Sequence, residues 1–222
     1  MHQVIVNKTK KVNNVNLNST LLNVFFDTKK IILANEELDL PNISKTYMLA
    51  DIKKMNSLLV EFENNPELNS ILIYDKDFEK LLDKFQKEFR TIKAGGGFVF
   101  NQNDELLVIF RRGKWDLPKG KSEKRETMQQ TALREVEEET GINNLEITRS
   151  LPCTCHYFLD KGKRKLKISY WYEMLHHGDL TPTPQTEEEI MEARWIMKSE
   201  IPMVLNNTFE SLKDLLHHYL PS

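Results

Sequence analysis

The sequence predicts an α/β protein in two parts: a small α/β accessory unit over residues 1–92 and a larger α/β domain over residues 93–222. Two observations predict it. In the first part, short β-rich runs alternate with amphipathic helical stretches. In the second, runs of β-branched and aromatic residues framed by glycine and proline surround one long acidic helix. A hydrophobic fraction of 40% is enough for a packed core, and 29% charged residues implies a well-solvated surface.

Taken in order, "HQVIVN" and "KKIILAN" read as strands, with "LNVFF" between them as another. Ser44 is a plausible N-cap for a helix over "KTYMLADIKKMNSLLVEFEN", where Met48, Ile52, Met55, Leu59 and Phe62 recur at helical spacing. "SILIY" is a short buried strand. Asp75 then caps "KDFEKLLDKFQKEF", which places Phe78, Leu81, Leu82, Phe85 and Phe89 on one stripe. This strand–helix–strand–helix order suggests a crossover onto a small sheet. No catalytic constellation appears, so the unit is expected to pack or bind a partner and to modulate chemistry carried out elsewhere.

The second part opens on Gly95, Gly96 and Gly97, which lack dinucleotide-loop spacing and run on into a strand. Close approach of the backbone to another segment explains them better. "GGFVF" and "LLVIFRR" form a hairpin around the polar turn Asn101 to Glu105. "WDLPKGK" is expected to be loop, because Pro118 bars helix at Leu117. After the acidic helix, "EITRSLPCTCHYF" and "KRKLKISYWYEMLHH" read as two strands joined by a basic turn. "TPTPQ" reads as a stiff loop and "ARWIM" as a last strand. "TFESLKDLLHHYL" is an amphipathic terminal helix using Phe209, Leu212, Leu215, Leu216 and Tyr219.

The acidic helix raises a physical question, because Glu135, Glu137, Glu138 and Glu139 crowd into five residues. Like charges three or four positions apart destabilise a helix, and acids at its C-terminal end oppose the dipole. At 100° per residue, Glu135, Glu138 and Glu139 share roughly a 100° arc, while Glu137 points away. Leu133 and Val136 lie on the other side. Either the run is a solvated face, or a cation sits among the carboxylates. All-oxygen ligation suits Mg²⁺, with Mn²⁺ as a substitute.

The surroundings of the helix decide between these. Gly120, five residues, Glu126, seven residues, then Arg134, Glu135, Val136, Glu137, Glu138, Glu139, Thr140, Gly141 and Ile142 resemble the complete Nudix box. The resemblance covers approximately residues 93–200 and implies an α/β/α sandwich that hydrolyses a phosphoanhydride with the help of a divalent metal. Carried over by box position, Glu135, Glu138 and Glu139 would be metal ligands, with Gly120 offering its carbonyl. Arg134 and Glu126 would pair to lock the loop against the helix. A further acid from a later loop is often recruited, and here Glu188 or Glu189 is the candidate beside an ordinary exposed acidic loop.

Substrate class is less specified. Arg111, Arg112, Lys114, Lys119 and Lys121 place five cations just ahead of the box, suited to a polyphosphate. Trp115 either stacks on a base or packs, and Tyr157 is either a substrate contact or a buried strand residue. The "WDLPKGK" and "KISYWYEM" stretches resemble the Nudix branch acting on diadenosine polyphosphates, diphosphoinositol polyphosphates and oxidised nucleoside triphosphates. An ADP-ribose pyrophosphatase and a Nudix-like ligand sensor in a regulatory protein are the alternatives. The complete box counts against the sensor.

Other features carry less. Cys153, Cys155 and His156 have no second ligand pair for zinc, and two cysteines do not make a disulfide framework. His176, His177, His217 and His218 read as surface residues. A net charge of -2 gives no pull toward nucleic acid or membrane. No signal-peptide layout or membrane-length apolar run is seen, so the expected location is cytoplasmic. The expected partner is a small phosphorylated molecule, with a homodimer left open.

Overall fold

The structure is a computed structural model and describes residues 20–219. The expected strand "HQVIVN" lies outside the described residues. Two compact units emerge. One comprises residues 1–90 with Tyr157–Leu166, and the other Thr91–His156 with residues 167–222. The segment 157–166, which a single cut at 92 assigns to the second domain, thus belongs with the N-terminal unit.

In the N-terminal unit, β1 (Leu21–Phe26) and β2 (Lys29–Ala34) form an antiparallel hairpin. β4 (Ser70–Tyr74) pairs parallel with β2 on one side and with β3 (Lys45–Met48) on the other. Helix α1 (Met55–Asn64) connects β3 to β4, and α2 (Phe78–Gln86) follows β4. The helix expected from Lys45 onward therefore starts only at Met55. The correction has a local cause: the Ser44 hydroxyl does not cap a helix but accepts the Asn69 and Ser70 amides at 3.1 and 3.3 Å, which holds Lys45–Met48 beside β4. Asp77, not Asp75, caps α2, accepting the Lys80 amide at 3.0 Å, while Asp75 receives the amide of Asp77. Lys29 donates to the Phe62 and Asn65 carbonyls at the end of α1, where a cation complements the helix dipole.

The second unit is built around the strands β12 (Ile190–Ile196), β6 (Leu106–Arg111), β5 (Arg90–Phe100) and β11 (Lys163–His176), neighbours in that order. The "WDLPKGK" segment contributes two short strands instead of pure loop. β7 (Lys114–Asp116) pairs with β6 and β8 (Lys119–Lys121) with β5, leaving Leu117 and Pro118 between them. The strand expected at "EITRSLPCTCHYF" breaks at Leu151–Cys153 into β9 (Leu145–Ser150) and β10 (Thr154–Asp160), as the missing amide hydrogen of Pro152 favours.

One face of this sheet carries α3 (Met128–Thr140), packed through Ala132 and Val136 against Val99, Leu107, Tyr172 and Met174. The other carries α4 (Ile201–Asn206) and α5 (Glu210–Tyr219), whose Val204, Leu212, Leu215 and Leu216 pack with Phe98, Leu117 and Trp171. Helix, sheet, helix is the expected sandwich. The glycines in the middle of β5 explain how α3 comes so close. A Cβ on Gly95 would lie 2.7 Å from the Met128 carbonyl, and one on Gly97 would lie 2.5 Å from Val136. Among the described residues, no helix is long and apolar enough to cross a membrane.

Candidate active site on helix α3

Both ends of α3 are fixed by its own sequence. Thr127 accepts the Gln130 amide while the Gln130 side chain accepts the Thr127 amide, a reciprocal capping box. Gly141 ends the helix in the left-handed region at φ 69°, where a side chain would be strained. These anchors, with Ala132 and Val136 fully buried, set the rotation of the helix. Glu137 is consequently exposed, whereas Glu135 and Glu139 are buried and Glu138 lies at the rim.

Cationic partners offset the crowded carboxylates. Arg134 is the hub: it grips Glu126 with two nitrogens at 2.7 and 3.0 Å. It also reaches Glu135 at 2.9 Å, Glu138 at 2.7 Å and the Lys121 carbonyl at 3.1 Å. Glu139, with no exposed surface, accepts from Arg111 at 2.9 Å and from the backbone amide of Lys119 at 2.8 Å. Burial pushes the Glu139 carboxyl up to about 7, although Lys119 and Arg111 pull the other way. Glu135 is also raised by burial, against the pull of Arg134. Glu126 moves oppositely: hydrogen bonds from Arg134, and from the Glu123 amide, hold it down at about 2.

That last shift has a testable sign. A carboxyl depressed on folding contributes stability above its ordinary value of 4.5, and loses it as pH falls toward about 2. Over that window the melting temperature of the intact protein should fall more steeply than that of Glu126→Gln. Parallel curves would show that the Arg134 grip contributes nothing to stability.

Gly120 sits hard against the Glu135 carboxylate. A Cβ there would come within 1.8 Å of Oε2. Only glycine lets the two approach so closely.

Of the expected loop acids, Glu188 lies nearer the buried carboxylates: it stands 4.0 Å from Arg111 and adds to the negative field at Glu135. Glu189, in the left-handed region at φ 62°, instead pairs at 2.7 Å with the exposed Arg112.

The five cations expected to meet a polyphosphate are mostly engaged. Arg111 serves Glu139, Arg112 serves Glu189, and the buried Lys119 ammonium pairs with Asp116. Lys114 lies over the Phe209 ring at 5.3 Å, which leaves Lys121 with an exposed side chain. Two aromatic candidates are corrected. Trp115 is 8% exposed and packs edge-on against Phe110 within the core, so it offers no open face for a base. Tyr157 is 1% exposed and stacks on Phe26 at 4.6 Å within the N-terminal unit, so it is not a substrate contact.

The sequence reading missed Asp116 and the strand residue Lys167, and it weighed His156 only with the cysteines as a zinc ligand. Lys167 interacts electrostatically with Lys119, Asp116, Arg111 and Glu139, and His156 interacts with Lys167, Lys119 and Asp116. Strand alternation held the signal, since Lys167, Ser169 and Trp171 share one face of β11.

Among the described residues, no three His, Cys, Asp or Glu side chains converge to hold a metal in this arrangement, because Arg134 and Arg111 occupy the carboxylates. The donor chemistry nevertheless suits a hard divalent cation. It is all oxygen, partly desolvated, and approached by the unobstructed backbone of Gly120.

A fold and a site of this kind define a class, and sequence comparison identifies it. A family model for the NUDIX domain matches residues 91–219, more than half of the chain, and the protein belongs to that family. It is similar to a Mycobacterium tuberculosis protein named MutT4, with 37% identity over 42% of this chain and 38% of that protein. It is also similar to the 8-oxo-dGDP phosphatase NUDT18 of Danio rerio, with 30% identity over 49% of this chain and 33% of that protein. The chain thus spans about a third of the length of these relatives. A solved MutT protein from Methanosarcina mazei Go1 aligns with 59% of this chain and 94% of its own, with a TM-score of 0.46 and 22% identity.

Proposed function

We propose that this chain is a divalent-metal-dependent pyrophosphohydrolase that cleaves a phosphoanhydride bond in a nucleoside-diphosphate-linked or polyphosphate substrate. The observation that carries this is the convergence of Gly120 with the buried Glu135, beside Glu138 and Glu139 on one face of α3. Glu135, Glu138, Glu139 and the Gly120 carbonyl would hold Mg²⁺, or Mn²⁺ in its place, with Glu188 as the added acid. Bound there, the metal would neutralise charge on the diphosphate oxygens and acidify an attacking water.

The chain's own residues do the rest. Arg134 aligns Glu135 and Glu138 and ties them through Glu126 to the preceding loop. Arg111 and the Lys119 amide fix Glu139, which is the best-sheltered base for the water proton. A ligand-sensor role is disfavoured because no acid of the box is missing.

A diadenosine or diphosphoinositol polyphosphate is the favoured substrate class, and the likeness to NUDT18 keeps oxidised nucleotides beside it. The test is steady-state hydrolysis by the full chain with Mg²⁺. The panel comprises diadenosine tetraphosphate, an inositol pyrophosphate, 8-oxo-dGDP, 8-oxo-dGTP and ADP-ribose. Metal-dependent turnover of at least one polyphosphate, with ADP-ribose poorer, is expected. Best turnover of ADP-ribose would overturn the substrate class, and no turnover of any compound would overturn the enzyme.

A further inference from the structure

Lys167 stands out in the second unit as a cation without a counter-charge of its own. Arg111 is matched by Glu139, and Lys119 by Asp116. Lys167 lies close enough to feel all four, yet makes no hydrogen bond or ion pair among the described residues. It is half-buried on β11, where His156 also interacts with it. One step along the same strand face, the Ser169 hydroxyl is buried, 1% exposed, and has no hydrogen-bond partner among the described residues. An uncompensated cation beside an unsatisfied hydroxyl is costly unless an anion completes the set.

We infer that Lys167 is an anion-binding residue, taking a phosphate group of the substrate other than those held at the acidic face of α3. The inference rests on the pyrophosphohydrolase assignment. It adds a sheltered cation to what the loop supplies, where Arg111, Arg112 and Lys119 are spent on carboxylates and Lys121 is exposed. Being partly desolvated, its attraction to a phosphate is screened less than that of exposed Lys121. Burial accounts for its ammonium being pushed down to about 7, with Lys119 adding to the shift, and a bound phosphate opposes both effects. The chemistry that fits is a chain of at least three phosphates, or a diphosphate bearing a further phosphoryl group.

The test reads binding, not turnover. Inorganic tripolyphosphate is titrated calorimetrically, with Mg²⁺ present, into the full chain and its variants. Lys167→Met is expected to weaken binding about thirtyfold, as loss of one partner of a sheltered charge pair does. Lys167→Arg should stay within about threefold of the parent, because the cation is kept. Lys198→Met, which removes the same charge from the distant pair with Asp104, should leave affinity unchanged. Thermal unfolding checks that Lys167→Met is folded, and Lys167→Arg decides the matter if it is not. Equal affinity in the Lys167→Met variant, equal losses in Lys167→Met and Lys198→Met, or no binding by the parent would overturn the inference. Hydrolysis is scored separately: binding that depends on Lys167 in a protein inactive on every substrate overturns the enzyme and leaves the anion site standing.

Discussion

Glu138→Gln should reduce Mg²⁺-dependent turnover by about a hundredfold or more while leaving the fold unchanged. The amide keeps the shape of the carboxylate and removes its charge, and loss of one charge-stabilising group at a reacting phosphate costs on this order. Glu138 is the cleanest site for the test because half of its side chain is exposed and its only strong partner is Arg134 at 2.7 Å. Little stability depends on such a rim pair. Glu139→Gln should abolish turnover as well, but with a lower melting temperature. It is wholly buried and would leave Arg111 with only the half-exposed Glu188 at 4.0 Å. Glu137→Gln, one residue away on the exposed side, should be silent. Turnover close to the parent in Glu138→Gln, with an unchanged circular dichroism spectrum, would show that the acidic face is not the reacting one.

Gly120→Ala should be nearly as damaging to turnover, and it isolates position from charge. No acid is removed, yet the new methyl would lie 1.8 Å from Glu135 Oε2, so the carboxylate must swing away. The far end of a glutamate moves readily, so the stability change should stay within about 1 kcal/mol. Displacing a working group by about 1 Å can cost about a hundredfold in rate. Steady-state kinetics and urea unfolding on the same sample separate the two effects. A variant as active as the parent would mean that the Gly120–Glu135 approach is packing without chemical purpose.

The spacing from Gly120 to Ile142 made α3 and the shared face of Glu135, Glu138 and Glu139 legible in the sequence, because helix rotation follows directly from residue number. Gly95 and Gly97 were equally informative, since close approach to α3 is what glycine permits there. Pairing across the sequence was not legible. Nothing local says that Ser44 serves Asn69 and Ser70, and a helical apolar rhythm through Met48 and Ile52 suggested otherwise. The cations of the "RRGKWDLPKGK" loop were correctly seen to be many. Their partners Asp116, Glu139 and Glu189 are set by turns and by a neighbouring helix, so how much positive charge stays available could not be counted along the chain. Tyr157 and Lys167 show the same limit from opposite directions, one aromatic hidden in a core and one lysine left without a mate.

The passage of Tyr157–Leu166 into the N-terminal unit makes that unit discontinuous, so the chain crosses between units at residues 90–91, 156–157 and 166–167. A protease that cuts only at the first crossing severs residues 1–90 from the rest, but the tip 157–166, covalently part of the other fragment, still packs within the N-terminal unit. Both halves of the β10–β11 hairpin still tether the tip, where Arg164 is bonded to Glu63 at 2.5 and 2.9 Å. A gene truncated at Thr91 is a different matter. It leaves the tip in place without Glu63 or the ring of Phe26, stranding a guanidinium and a tyrosine that were made for company. Loss of activity in such a truncation would first report a damaged hairpin. Shortening the tip to a tight turn is the change that would let the second unit be studied by itself.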